Sequence, residues 1–446
     1  MFRRKIYDDI KLWKDQKAGE YALMIEGPRR VGKSTIIEEF AKNEYRSYIM
    51  IKFEEAGDEV KELFYNLSNL DRFFLLLQQY AGVRLYERKS AIVFDEVQLF
   101  PLARQAIKTL VEDGRYDYYE TGSLISIKKN VQDILIPSEE DSIYMHPMDF
   151  EEFLWATGND MAMPFIRDSF DRNEPLGKGA HNHMMELYRT YMLVGGMPKV
   201  VSKFVEENSF AAAETVKKSI LNLYMKDAAK LDSDNGSNKA RAVLNALPSN
   251  LEKHDKTFSP STVKERGNMR DLRRTISELE DSMMVNNCYL STEPAIDQEN
   301  HSDHDDLKMY LCDTGLLFTH SFNILKEESD DTYRSILKGD LEINEGMYFE
   351  NMVAQELAMT GHKLFFSKFT HEDSKKLQEV DFIIVKDRKV TPVEVKSGKR
   401  PKKHKSLDRY MEKYKGRIGP AYVICTKDLE ICGNVTYIPI YMSSLL

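Results

Sequence analysis

The run Gly27-Pro28-Arg29-Arg30-Val31-Gly32-Lys33-Ser34 constrains this chain more than any other feature, because of what flanks it. Residues 21–25 before it read as a buried apolar strand, and residues 33–41 after it have helical spacing. A GxxxxGK[ST] string in that setting is a phosphate-gripping loop. Its glycines let the backbone curl so that several N–H groups face phosphate oxygens, and the helix N-terminus adds its positive end. Lys33 is expected to reach the β- and γ-phosphates, and Ser34 to offer its hydroxyl to Mg²⁺. A glycine turn ahead of an ordinary helix is the bland alternative.

Short apolar runs at 48–53, 91–94, 116–120 and 142–145 alternate with helical spacing at 58–66, 71–87 and 102–112. Strands separated by helices pair in parallel, since a crossover takes a dozen or more residues. Residues 1–150 are therefore expected to form an α/β nucleotide-binding core. The apolar run Ala91-Ile92-Val93-Phe94 ends in two acids, Asp95 and Glu96. Asp95 is expected to hold the Mg²⁺ shell, and Glu96 to orient or deprotonate the attacking water. Thr121-Gly122-Ser123 closes the neighbouring strand, and Ser123 is chosen as the polar group beside the γ-phosphate. An arginine finger stays open among Arg104, Arg115, Arg189 and a second subunit.

A chain of 446 residues is too long for one core, so two to four domains are expected. With 42% hydrophobic and 30% charged residues it reads as an ordinary globular protein. Apolar runs such as 73–77 fall short of a membrane span, and residues 1–10 lack the apolar stretch of a signal peptide. Cys288, Cys312, Cys425 and Cys432 form no CxxC pair, which argues against a zinc or disulfide framework; a cytoplasmic setting is expected. The ten histidines suggest no ligand set, and His181 and His183 read as surface residues. A formal charge of −9 argues against wholesale coating of nucleic acid. One local basic stretch remains: Lys396, Lys399, Arg400, Lys402, Lys403, Lys405, Arg409, Lys413, Lys415 and Arg417. It is either a solvated helix face or a surface for phosphate backbones.

Near the C-terminus, residues 379–385 read as a strand with an acid at its start, and 393–396 as the next strand after a turn at 386–389. Alternate strand residues share a face, so Glu394 and Lys396 project together, and a hairpin brings Asp381 toward Glu394. Asp381 and Glu394 are then expected to share a divalent cation while Lys396 positions or activates water, the D…ExK arrangement of nucleases. A cross-strand charge pair is the ordinary alternative. Residues 291–306 are acidic and read as a solvated loop.

Taken together, Glu26 to Thr35, Asp95-Glu96-Val97-Gln98, Thr121-Gly122-Ser123, Pro147-Met148-Asp149-Phe150-Glu151-Glu152-Phe153 and Tyr191-Met192-Leu193-Val194-Gly195-Gly196-Met197-Pro198 resemble the motifs of a prokaryotic AAA-type P-loop ATPase family. Its members carry a C-terminal domain of unknown function, and the resemblance covers nearly the whole chain. It adds Thr35 to the nucleotide contacts and implies an α/β multidomain fold in four parts. These are a P-loop AAA-type core (1–150), a helical lid (151–236), a winged helix (237–320) and a C-terminal restriction-endonuclease-like α/β domain (321–446). Within the winged helix, residues 271–280 become a recognition helix through Arg273 and Arg274, and the acidic stretch at 298–306 lengthens the wing. In the last part Glu350, on a helix at 346–357, resembles the extra acid beside the metal. The expected function is ATP binding and hydrolysis with Mg²⁺, acting on DNA, with a second divalent cation at the C-terminal site. The alternative is a nucleotide-switched regulatory or binding protein with a catalytically silent nuclease-like platform. Expected partners are ATP, DNA and other copies of the chain, without a membrane.

Overall fold

The computed structural model describes residues 1–122, 138–231, 238–322, 330–338, 344–371, 374–398 and 400–446. They divide into two compact units, Met1–His146 with Asp281–Met283, and Pro147–Glu280 with Met284–Leu446. Among the described residues no helix is long and apolar enough to cross a membrane.

The first unit runs α1 (Ile6–Lys17), β1 (Ala22–Glu26), α2 (Lys33–Glu44), β2 (Ser47–Lys52), α3 (Asp58–Leu63), α4 (Leu70–Ala81), β3 (Ser90–Asp95), α5 (Pro101–Asp113), β4 (Asp117–Gly122) and β5 (Glu140–Tyr144). Its five strands lie in the order β2-β3-β4-β1-β5, each pair parallel. Every residue of β1, β3 and β4 is buried, as expected for strands covered by helices on both faces. Local signals set the helix ends. The Asn69 side chain accepts the Arg72 N–H at the start of α4, and Gly82 and Gly114 take left-handed conformations after α4 and α5. Because β1 and β3 flank β4 in parallel, the carboxyl ends of all three lie at one edge of the sheet, the side on which parallel α/β sheets hold ligands.

The second unit begins with helices α6 (Phe150–Ala156), α7 (Ala162–Arg172), α8 (Lys178–Val194), α9 (Pro198–Glu207), α10 (Phe210–Leu231), α11 (Lys239–Leu251) and α12 (Arg273–Asp281). It continues through β6 (Val285–Ser291), β7 (Ser302–Leu311), α13 (Thr314–Phe322), α14 (Asp330–Lys338), α15 (Glu345–Met359), β8 (Leu364–His371), β9 (Ser374–Lys386), β10 (Lys389–Lys396), α16 (Lys405–Lys413), β11 (Ala421–Cys425), β12 (Glu430–Cys432) and β13 (Val435–Pro439). Its strands form one sheet, β12-β13-β11-β10-β9-β8-β6-β7. Hairpin β6–β7, in the segment expected to be a winged helix, is continuous with the C-terminal strands through the parallel pair β6–β8. One sheet thus runs across the 320/321 boundary expected from sequence. The acidic stretch is not all loop. Ser302 onward pairs with β6, and Gln298 is buried; the residues from Leu307 to Leu311 are all buried, and the acidic residues before them continue the same strand.

The Gly195-Gly196 turn between α8 and α9 has a mechanical reason. Gly195 has φ +84°, and a Cβ on Gly196 would stand 2.1 Å from the Met148 carbonyl oxygen. The buried Asp313 carboxylate accepts the Gly196 N–H at 2.6 Å and the Leu316 N–H at 2.8 Å, tying this turn to the start of α13.

Candidate functional site

The loop between β1 and α2 is shaped by its glycines. Gly27 has φ +157°, and a Cβ there would lie 2.3 Å from the Met145 carbonyl oxygen; Gly32 enters α2 at φ +99°. Pro28 and Val31 are buried, Arg29 and Gly32 half-buried, Arg30 and Thr35 exposed. Arg4, which the sequence did not suggest, fastens the loop by donating to the Val31 carbonyl at 3.0 Å and the His146 carbonyl at 2.7 Å. Lys33 is buried at the first turn of α2, and its ammonium donates to the carbonyls of Gly27 (2.9 Å) and Pro28 (3.0 Å). Burial pulls its pKa down to about 8, against the raising effect of Glu96 and Asp95.

Ser34 Oγ, at the start of α2, donates to Asp95 Oδ1 at 2.6 Å, joining the loop to the end of β3. The Thr121 hydroxyl, at the end of β4, donates to the same Asp95 oxygen and accepts the Glu96 N–H at 3.2 Å. Glu96 itself sits in the left-handed region at φ 54°, a conformation a β-carbon resists, and its carboxylate accepts from the Gln98 side-chain amide. Lys33, Ser34, Asp95 and Glu96 are therefore brought together. Ser123 lies outside the described residues, and the polar group found at the tip of β4 is Thr121. The signal for it was available, since Thr121 opens the same Thr-Gly-Ser run. Hard oxygen donors on Ser34 and Asp95 beside a loop of backbone amides suit Mg²⁺ and a triphosphate.

Two arginine-finger candidates are already engaged. Arg104 is buried in a two-point contact with Glu140 (2.6 and 3.1 Å), and Arg115 is bound by Asp113 and Asp71, each at 2.7 Å. Arg189 faces Glu345 at 3.5 Å. His181 is not a surface residue: it is buried, 2.9 Å from the Tyr441 hydroxyl and 3.1 Å from the Thr426 carbonyl, because the inward face of α8 carries it; His183 is exposed.

The sequence correctly joins β9 and β10 in an antiparallel hairpin, with Phe382 opposite Val393. Lys396 Nζ lies 2.5 Å from Glu394 Oε1, and Asp381 Oδ2 accepts the Val395 N–H at 2.8 Å. Burial next to Asp381 pushes the Glu394 carboxyl up to about 8. Glu350 projects from α15 and would be raised by burial, but Lys308 and Lys256 hold it down to about 2. Residues that the sequence did not flag complete the cluster: Lys256, Lys308, Tyr310 and Glu379. The expected second cation does not fit here. Among the described residues no three His, Cys, Asp or Glu side chains converge as a metal site, and the carboxylates meet lysine ammonium groups instead.

Residues 19–154 match the family described as AAA domain. This part of the chain is an AAA domain built around the phosphate loop. The match spans β1 through β5 and the start of α6, and so includes Lys33, Ser34, Asp95, Glu96 and Thr121 of this AAA domain. Residues 185–327 match a domain of unknown function (DUF8612), and 345–442 match another (DUF4143). No curated protein matches the chain. Among solved structures, the chain is similar to the Walker-type ATPase of Pyrococcus abyssi: 15% identity, 72% of this chain and 96% of that one, TM-score 0.42. The ORC2 protein of Aeropyrum pernix, in ADPNP and ADP complexes, is similar at 10% identity over 75% and 92% of the chains, TM-score 0.32. Cdc6p of Pyrobaculum aerophilum is similar at 14% identity over 76% and 93%, TM-score 0.23. Likenesses this distant transfer no activity.

Proposed function

We propose that this protein binds and hydrolyses ATP with Mg²⁺ in its AAA domain and uses the nucleotide state to govern binding of DNA by the rest of the chain. The observation that carries the ATP reading is the 2.6 Å contact of Ser34 with Asp95, which sets the loop, the helix start and the acidic strand end around one point. Loop amides from Gly27 to Thr35 would hold the phosphates, and Lys33 would exchange its two loop carbonyls for β- and γ-phosphate oxygens. Bound Mg²⁺, held by Ser34 and Asp95, would neutralise phosphate charge. Glu96 takes the proton of the attacking water, with Gln98 and Thr121 fixing its orientation. The test is ATP binding and turnover side by side. Lys33→Ala is expected to lose binding, and Glu96→Gln to keep it while turnover falls at least tenfold. Undiminished turnover in Glu96→Gln sinks the assignment.

For the DNA part, residues 237–320 act as the winged helix and 151–236 as the helical lid. Arg273 and Arg274 on α12 are exposed, and phosphate can compete with the ion pairs they make to Asp305 and Glu278. On α16 and beyond it, Lys402, Lys403, Lys405, Lys413, Lys415 and Arg417 are exposed, while Leu407 and Tyr410 pack inward; Lys399 lies outside the described residues. Duplex affinity should fall steeply with added salt, and a flat response removes DNA as the partner. A nuclease-like C-terminal fold is retained in this proposal, and the lysines among its carboxylates favour the silent-platform reading over cleavage.

A further inference from the structure

Four carboxylates share one face of the second unit: Glu350 on α15, Glu379 and Asp381 on β9, and Glu394 on β10. The ammonium of Lys308 from β7 sits among three of them. It lies 2.6 Å from Glu379 Oε1, 3.2 Å from Glu350 Oε1 and 3.7 Å from Asp381 Oδ1, and its side chain is 0% exposed. Most of the remaining acceptor positions are also used, while Glu394 Oε2 is buried without a hydrogen-bond partner. Glu350 takes the Tyr310 hydroxyl at 2.5 Å on one oxygen and Lys256 on the other; Asp381 Oδ2 takes the Val395 amide; Glu394 Oε1 takes Lys396.

A hard divalent cation needs several of these oxygens converging at about 2.0–2.6 Å. Among Glu350, Glu379 and Asp381 that space is taken by a group of like charge. Lys308 is fully buried, and its ammonium lies 5.2 Å from the Phe366 ring centroid. It cannot step aside as an exposed lysine would.

We infer that Lys308 stands in for the divalent cation: the D…ExK face is a lysine-closed charge cluster that binds neither Mg²⁺ nor Mn²⁺ and performs no metal-assisted phosphodiester cleavage. In place of catalysis, the cluster locks α15, β7, β9 and β10 together. Two separately matched segments meet in it, since Lys308 falls within 185–327 and Glu350, Glu379, Asp381 and Glu394 within 345–442. This inference goes beyond the ATPase reading and stands or falls without it.

The test is Mn²⁺ titration of the full, nucleotide-free chain, with free Mn²⁺ followed by electron paramagnetic resonance. Wild type and Asp381→Asn are expected to bind the same number of ions. One ion held by wild type and absent in Asp381→Asn overturns the inference. As a second measurement, Lys308→Gln leaves the carboxylates uncompensated, so its melting temperature should drop in chelator and recover with Mn²⁺. Melting unaffected by either also overturns it. Should Lys308→Gln fail to fold, the comparison of wild type with Asp381→Asn still decides.

Discussion

Lys33 must be charged to grip phosphate, yet burial has lowered its pKa to about 8, from the 10.5 of an exposed lysine. Between those values the folded protein has released a proton that the unfolded chain keeps, so folding stability rises with pH through that window. ATP binding needs the proton back and should move the other way. Above about pH 8 the dissociation constant is expected to rise toward tenfold per pH unit, as calorimetry across pH would show. A constant affinity up to about pH 9.5 would mean the buried amine stays charged without nucleotide. Thr121 yields a separate expectation. Thr121→Val leaves the Glu96 N–H without its acceptor and should cost about 1–3 kcal/mol at the transition state, roughly 5- to 160-fold in kcat. ATP affinity should change little, and Thr121→Ser should restore turnover; a Thr121→Val enzyme as fast as wild type excludes the role. The phosphate loop was legible because all its chemistry lies in one short run. Lys308 was not, because its partners lie 42, 71 and 73 positions away and no local spacing encodes that meeting.

At the level of elements, the first unit follows its sequence pattern closely, since alternating buried strands and amphipathic helices admit few parallel arrangements. The second unit was harder to read. Which strand pairs with β6 depends on β8, more than seventy residues downstream, and nothing in the alternation of either strand names the other. The turn between α8 and α9 was visible as Gly195-Gly196-Met197-Pro198, but its anchor, Asp313, was not. Asp313→Ala strands the Gly196 and Leu316 amides in the interior. It should lower stability by about 1–3 kcal/mol for each amide left unmet, read as a lower urea midpoint. An unchanged midpoint would show that water replaces the carboxylate there.

For the molecule as a whole, two units with separate cores predict two unfolding transitions by calorimetry. Mg²⁺ with ATP should raise only the transition of the unit containing the phosphate loop, by about 2.7 kcal/mol when ligand is a hundredfold above its dissociation constant. Equal shifts of both would show that the units unfold as one. The sheet that continues from β6 and β7 into β8 through β13 also bears on how the polypeptide can be divided. Scissors applied between residues 320 and 321 would strip β8 of a neighbour, leaving raw amides that invite clumping, and would carry Lys308 off with the discarded half. The orphaned acids would then be at liberty to scavenge whatever metal the buffer offered, and a fragment so prepared would give false testimony about its parent.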